Sequence, residues 1–211
     1  MPTQTRSLNS LDVQILRFLN RFAVARKHHV SAWTGAAPAT INARMTLLKR
    51  VGLVASREVP VQLRSPAGEI VDSRCVIWEV TAAGARAAGA WHVPGTEQWL
   101  GMDRAGRGGA TIDHAVGVVD LACWYRMHGF QVAAEREMRS LEQASVLAPA
   151  KTLPVWGVPS SLREQIGGRG GLHFPDLGAI DADGRMWAVE LERATKTVGE
   201  YAGVIAADRH T

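Results

Sequence analysis

The first 57 residues combine a strongly basic charge with the pattern of three short helices and a β-hairpin. Nine of these residues are Lys or Arg, and Asp12 is the only acid among them. Asn9 or Ser10 can cap the first helix. Its large apolar residues recur at helical spacing and predict one buried stripe, formed by Leu11, Ile15, Phe18, Leu19 and Phe22. The segment therefore predicts a small helical core with a basic surface.

Two further helices follow at short distance along the chain. The second helix is predicted over residues 26–34, and Gly35 supplies the turn after it. Pro38 suits the first turn of the third helix, which Gly52 ends. A connection as tight as the one between these helices lets them cross steeply, which a helix-turn-helix requires.

A β-hairpin and a closing helix are predicted next. Residues 53–63 and 74–80 have the Val-rich composition of strands, and residues 65–68 have the composition of a turn. Thr81 can cap the closing helix. Three helices and such a hairpin are the layout of a winged helix-turn-helix, in which the hairpin is the wing. We therefore predict a winged helix-turn-helix DNA-binding domain over residues 1–90.

The polar positions of the third helix are ordered as in a recognition helix, with short polar groups first and long cations later. A small three-helix core also has a solvated face with some cations, but the order of elements, the wing and the charge together favour DNA binding. We expect Thr40, Asn42 and Arg44 at base edges and the other cations at phosphates. The predicted DNA-binding residues are Arg26, Lys27, Thr40, Asn42, Arg44, Thr46, Lys49, Arg50, Arg57 and Arg64.

The charge changes sign along the chain, which predicts two domains. Residues 1–110 carry 14 basic and 7 acidic side chains, and residues 111–211 carry 10 and 13. The glycine-containing residues 91–111 are predicted to be a linker. Residues 112–211 are predicted to form a small α/β domain with a long irregular insertion at 145–171. The expected fold class is α/β, more narrowly α+β.

Two predicted strands of the second domain bring three carboxylates together. The strands cover residues 174–181 and 185–192 and are joined by a tight turn. Alternation places Glu190 and Glu192 on one face, and hairpin pairing brings that face close to Asp176. Because three carboxylates repel one another, a bound Mg²⁺ is the candidate that joins them, and it could activate water for phosphodiester cleavage. A solvated acidic edge without catalysis is the alternative that the sequence leaves open.

The same stretch resembles the signature of a nuclease superfamily. Pro175 and Asp176, followed by a hairpin and by Glu190 and Glu192, resemble the PD-(D/E)XK nucleases, whose core runs helix, strand, strand, strand, helix, strand. A winged helix before such a core, with His-Phe-Pro-Asp at residues 173–176 and a Val-Glu-x-Glu strand end, is similar to the replication-relaxation family of plasmid and phage proteins. The C-terminal domain is therefore expected to resemble a restriction-endonuclease-like core.

The resemblance also implies roles for single residues. Asp176 and Glu190 would be the ligands of Mg²⁺, and Glu192 would stand where most such nucleases keep a catalytic lysine. Lys196 lies one helical turn further along the chain and is a conceivable replacement for that lysine. A last helix is predicted over residues 195–207. The sequence ends at Thr211, directly after this helix, so the final core strand is expected to be missing or to come from a partner chain.

Several classes of protein are disfavoured by what the sequence lacks. No run of residues approaches the roughly 18 to 20 apolar residues that a transmembrane helix needs, and the first ten residues lack a signal-peptide pattern. Cys75 and Cys123 have no CxxC spacing and are expected to be reduced thiols. We therefore expect a cytoplasmic, nucleoid-associated protein that does not bind a membrane.

The sequence as a whole predicts a sequence-specific DNA-binding protein of a plasmid or phage that regulates replication or transcription. Its partner is double-stranded DNA, and this binding requires no cofactor. The competing hypothesis is a Mg²⁺-dependent endonuclease or nickase that the winged helix directs to its site. A third hypothesis is an interaction module whose acidic half binds a second copy or another protein.

Overall fold

The computed structural model describes residues 8–64, 70–89, 109–139, 156, 158–159 and 172–191 of the 211-residue chain. The helices are α1 (Ser10–Phe22), α2 (Lys27–Thr34), α3 (Pro38–Arg50), α4 (Ala82–Ala87) and α5 (Gly109–Met127). The strands are β1 (Val54–Arg64), β2 (Ile70–Val80), β3 (Gln131–Ala134), β4 (Val158–Pro159), β5 (Leu172–His173), β6 (Leu177–Ile180) and β7 (Met186–Val189). The protein therefore has the mixed α+β composition that the sequence predicts.

The chain divides into two compact units, Met1–Met127 and His128–Thr211. The boundary between the units lies further along the chain than the linker at 91–111 that charge and glycine content predict, because α5 belongs to the first unit. None of the described helices has the length and apolar character that crossing a bilayer requires.

α1 begins at a reciprocal cap. The Asn9 side chain accepts a hydrogen bond from the Asp12 amide at 2.8 Å, and the Asp12 carboxylate accepts one from the Asn9 amide at 3.0 Å. Of the two caps that the sequence allows, Asn9 and Ser10, the structure has Asn9. The buried apolar residues of the helix are Ile15, Leu16, Phe18, Leu19 and Phe22, which agrees closely with the predicted stripe.

α2 and α3 are joined by the short turn that the glycine and proline signals predict. Gly35 ends α2 with a φ of 72°, a left-handed conformation that glycine adopts at little cost. Pro38 stands at the start of α3, where its missing N–H removes no helical hydrogen bond. α3 buries Ile41, Met45 and Leu48 and leaves its other side to solvent.

β1 and β2 form an antiparallel hairpin on the three helices. Their register extends from Val54 opposite Val80 to Arg64 opposite Ile70, so the second strand begins earlier than the sequence predicts. The predicted turn at residues 65–68 lies outside the described residues. α4 then begins at Thr81, whose hydroxyl oxygen accepts a hydrogen bond from the Gly84 amide at 3.1 Å, as predicted for this cap.

α5 closes the core of the first unit by packing on α2 and β1. Its stripe of buried residues comprises Ile112, Val116, Val119, Ala122 and Cys123. Ile112 and Val116 join a cluster with Val59 and Ile77 from the hairpin. The sequence predicts a helix from Ile112 with Ile112, Val116, Val119 and Cys123 on one face, but assigns it to the second domain. The hairpin explains the difference, because its inward apolar side chains need a covering layer and α5 supplies it.

The second unit contains a three-stranded antiparallel sheet in the order β3, β6, β7 and a small pair formed by β4 and β5. β6 and β7 form the hairpin that the sequence predicts. Asp181 stabilises its turn by accepting hydrogen bonds from the amides of Asp183 at 3.0 Å and Arg185 at 2.9 Å. The buried core of the unit includes Met138, Trp156 and Phe174. The predicted helix at 195–207 and most of the predicted insertion at 145–171 lie outside the described residues.

Candidate nucleic-acid interface

One side of α3, which we call the α3 face, is polar, exposed and free of carboxylates. It consists of the exposed residues Ala39, Thr40, Asn42, Ala43, Thr46, Lys49 and Arg50. α2 also contains no acidic residue, and both helices are described throughout. Five of the ten predicted DNA-binding residues therefore lie together on one surface whose only formal charges are positive.

Arg44 is not part of the α3 face. Its guanidinium forms two hydrogen bonds with the carboxylate of Asp12, and the bond from Nε to Oδ1 measures 2.7 Å. Asp12 is only 1% exposed, so its charge must be compensated within the protein. The hydrogen bonds to Asp12 raise the pKa of Arg44 above its ordinary value. The sequence assigned Arg44 to a base edge, and we correct this, because the side chain joins α3 to the start of α1.

Lys49 of the α3 face and Lys27 of α2 lie at the ring of the same tryptophan, Trp78. The Nζ atoms of Lys27 and Lys49 lie 4.9 Å and 5.8 Å from the ring centroid of Trp78. Lys49 also donates a hydrogen bond to the hydroxyl of Ser56 at 2.7 Å. Trp78 is 5% exposed, and paired backbone hydrogen bonds to Ala25 fix its strand. Cation–π attraction therefore holds two ammonium groups from different helices near one ring.

Lys27 has a second partner on the α3 face. Its Nζ donates a hydrogen bond to Oδ1 of Asn42. An open cleft of about 580 Å³ lies beside this pair and is lined by Lys27, His28, Ser31, Ala32 and Pro38. The sequence indicated both Lys27 and Asn42 as DNA-binding residues but gave no sign that they touch each other or Trp78.

The remaining predicted DNA-binding residues are placed less favourably for a ligand. Arg26 is partly buried, and its Nε finds no hydrogen-bond partner among the described residues. Arg57 forms an ion pair with Glu79 at 2.9 Å, which offsets its charge. The side chain of Arg64 lies outside the described residues. Among the cations predicted to contact phosphates, Lys49 and Arg50 are the two that lie exposed on the α3 face.

A cluster of His28, His29 and Asp120 joins α2 to α5. Nδ1 of His29 accepts a hydrogen bond from the Arg26 amide at 3.1 Å, so the ring proton lies on Nε2, which donates to Asp120 at 2.7 Å. Burial is the largest single influence on Asp120 and opposes its charge, but the hydrogen bond from His29 and the electrostatic interactions with His29, Arg26 and His28 together outweigh it, so the pKa of Asp120 lies below its ordinary value. Burial also lowers the pKa of His28.

This cluster is the one group in the described part of the chain whose ligand atoms lie close enough to hold a metal ion. A metal on Nε2 of His29 would displace the ring proton to Nδ1, where it would face the N–H of Arg26. The geometry therefore fits a hydrogen-bonded link between two helices and not a metal centre. Cys123 strengthens the link by donating to the His29 carbonyl at 3.7 Å, and burial raises the pKa of its thiol to about 11.

The predicted metal ligands of the second unit lie at one end of its hairpin. Leu177 pairs with Val189. Asp176 directly precedes Leu177 and Glu190 directly follows Val189, so both carboxylates lie at the same end of the hairpin. The carboxylate of Asp176 accepts a hydrogen bond from the Leu191 amide at 2.8 Å. Glu192 and Lys196 lie outside the described residues, so the remaining half of the predicted catalytic set stays a prediction.

Comparison with known proteins gives no further support to either candidate site. The chain matches no protein-family model, no curated protein and no solved structure. The two candidate sites therefore have to be weighed by their own geometry. The α3 face is complete in the described residues, and the acidic hairpin end is described in part.

Proposed function

We propose that the protein is a sequence-specific binder of double-stranded DNA and that its first unit is a winged helix-turn-helix domain. In this proposal α2 and α3 are the helix-turn-helix, α3 is the recognition helix and the β1–β2 hairpin is the wing. The α3 face carries the proposal, because it is exposed and lacks carboxylates, and because Lys49 on it and the neighbouring Lys27 are held at the Trp78 ring. Phosphates attract such a surface regardless of sequence, and its short polar groups can contact base edges.

The order of residues on α3 gives the binding mode. Thr40 and Asn42 lie in the N-terminal half of the helix, which approaches base edges in a helix-turn-helix complex. Lys49 and Arg50 lie in its last turn and would contact phosphates. We propose that binding at a defined site regulates replication or transcription of a plasmid or phage, which is the role that the resemblance to replication-relaxation proteins implies.

Lys49→Ala is expected to weaken binding to all duplex sequences by a similar factor. It should also reduce the slope of log K against log salt concentration by about one, because one phosphate contact is lost. Fluorescence anisotropy of a labelled duplex at several salt concentrations measures both quantities.

Arg185→Ala is the matched control for Lys49→Ala, since it removes one positive charge from an exposed side chain of the second unit. Its slope should equal that of the wild type. An unchanged slope for Lys49→Ala, or equal changes for both variants, would contradict the assignment of Lys49 to a phosphate.

A second candidate function is metal-dependent cleavage of DNA, and the shared position of Asp176 and Glu190 favours it. Two carboxylates at one hairpin end offer the oxygen ligands that Mg²⁺ prefers. A bound ion there would activate water for attack on a phosphodiester. In this proposal the first unit selects the DNA site and the second unit cuts it.

Supercoiled plasmid incubated with the full chain and Mg²⁺ or Mn²⁺ separates the two functions. If the second unit is a nuclease, we expect nicked or linear plasmid with the wild type and intact plasmid with Asp176→Asn. Asp183→Asn is the control, because it removes a carboxylate from the opposite end of the same hairpin and should leave cleavage unchanged. Intact plasmid at high wild-type concentration would exclude the nuclease and leave the DNA-binding function standing.

A further inference from the structure

We infer that Lys27 and Asn42 act as one pair that selects guanine over adenine, an inference that rests on the proposed DNA-binding function. An asparagine by itself is complementary to adenine in the major groove. Its carbonyl oxygen accepts from the adenine amino group while its NH₂ donates to N7. The selectivity of an asparagine therefore depends on whether its oxygen is available.

In this protein a cation contacts the oxygen of Asn42. The ammonium of Lys27 donates to it, and an ammonium has donors only, so the contacting atom of the amide has to be Oδ1. The NH₂ group of Asn42 consequently lies on the side of the amide away from Lys27. Asn42 thus retains its donors, while one of the two lone pairs of its oxygen is taken by a cation whose charge repels an approaching N–H donor.

Lys27 is held in place by more than Asn42. Its Nζ lies 4.9 Å from the ring centroid of Trp78, a side chain fixed by burial. Lys27 is also the first residue of α2, where Gly35 and the short turn fix the distance to α3. The approach of the ammonium to Asn42 is therefore set by elements that stay folded when DNA binds.

The pair presents donors to a base edge. The NH₂ of Asn42 and the remaining N–H groups of the Lys27 ammonium match two acceptors, which guanine offers as N7 and O6. Adenine offers one acceptor and an amino group, and that amino group would face a donor and a positive charge. We expect guanine to be preferred over adenine by about tenfold at the contacted position, at the lower end of what a bidentate base contact gives.

The experiment is selection of bound duplexes from a random pool by the full chain and by three variants. The wild type should recover a motif with a guanine that Asn42→Ala no longer requires. Lys27→Met removes the ammonium and frees the Asn42 oxygen, so adenine should replace guanine at that position. Lys49→Met is the matched control, because it removes an ammonium from the same Trp78 ring without touching Asn42, and it should keep the guanine.

Two duplexes that differ only at that position then give the preference as a ratio of affinities. A circular dichroism melt verifies that each variant is folded, and Lys27→Ala, which also lacks a donor, replaces Lys27→Met if the latter is not. An adenine preference in the wild type would overturn the inference. A uniform loss of affinity in the Lys27 variant with guanine retained would also overturn it and would assign Lys27 to a phosphate. Recovery of no motif by the wild type would instead overturn the proposed function itself.

Discussion

Arg44→Ala should lower the free energy of unfolding of the first unit by about 3 kcal/mol, the lower end of the range for breaking a buried ion pair. The variant would leave the carboxylate of Asp12, which is 1% exposed, without its cation. Asp12 would keep its hydrogen bond to the Asn9 amide, which compensates only part of the charge. The lower end of the range applies because a quarter of the Arg44 side chain is in contact with water.

Urea denaturation followed by circular dichroism measures this loss. Arg50→Ala is the control at an exposed position of the same helix and should change stability by less than about 0.5 kcal/mol, as exposed substitutions usually do. In a double-mutant cycle, Asp12→Asn should remove most of the penalty of Arg44→Ala, because the unpaired charge is then absent. A folded, fully stable Arg44→Ala protein that has lost one base preference would show that Arg44 contacts DNA after all.

Gly84→Ala is also expected to destabilise the first unit by about 3 kcal/mol, the upper end of the usual cost of overpacking. A Cβ at this position would lie 2.0 Å from the Leu53 carbonyl oxygen and 2.9 Å from its carbon. Neither atom belongs to a side chain that could rotate away. The Leu53 oxygen also accepts from the Thr81 amide at 3.1 Å, so moving it would disturb the start of α4.

The sign of this effect separates packing from helix propensity. Alanine is favoured over glycine inside a helix by about 1 kcal/mol, so propensity alone predicts that Gly84→Ala stabilises α4. Ala83→Gly at the exposed neighbouring position is the control and should cost about that amount. A rise in the melting temperature of Gly84→Ala would contradict the close approach of α4 to Leu53.

Most of the helices of the first unit could be predicted because their signals are local. Asn9 and Thr81 cap the helices that follow them, Gly35 ends α2, and Pro38 begins α3. Each signal acts within about one helical turn, so the sequence alone carries it. The partner of α5 could not be predicted in this way, because its contact with the hairpin joins residues far apart in the chain.

The α3 face was predictable in outline, because helical periodicity separates its polar positions from Ile41, Met45 and Leu48. Its detail was not, since the contacts of Lys27 with Asn42 and Trp78 join three separate elements. The ion pair of Asp12 did leave a sequence signal, namely a single acid among nine bases three residues after a capping Asn9. Such a signal is typical of a capping carboxylate, but it does not identify Arg44 as the partner of Asp12.

In the second unit, too, local sequence signals predict the outline, whereas individual contacts depend on the fold. The composition of residues 182–184 predicts the turn of the β6–β7 hairpin, and pairing across it places Asp176 and Glu190 at one end. The hydrogen bond from the Leu191 amide to Asp176 depends on the final register and has no local signal.

The most direct test of DNA binding by the α3 face is a nuclear magnetic resonance titration of the ¹⁵N-labelled chain with a duplex that carries its selected motif. We predict that the largest amide shift changes fall on residues 39–50 and on Lys27, and that they shrink as salt is added. Absence of any change at low ionic strength, or changes confined to residues 128–211, would contradict the claim that the α3 face binds DNA.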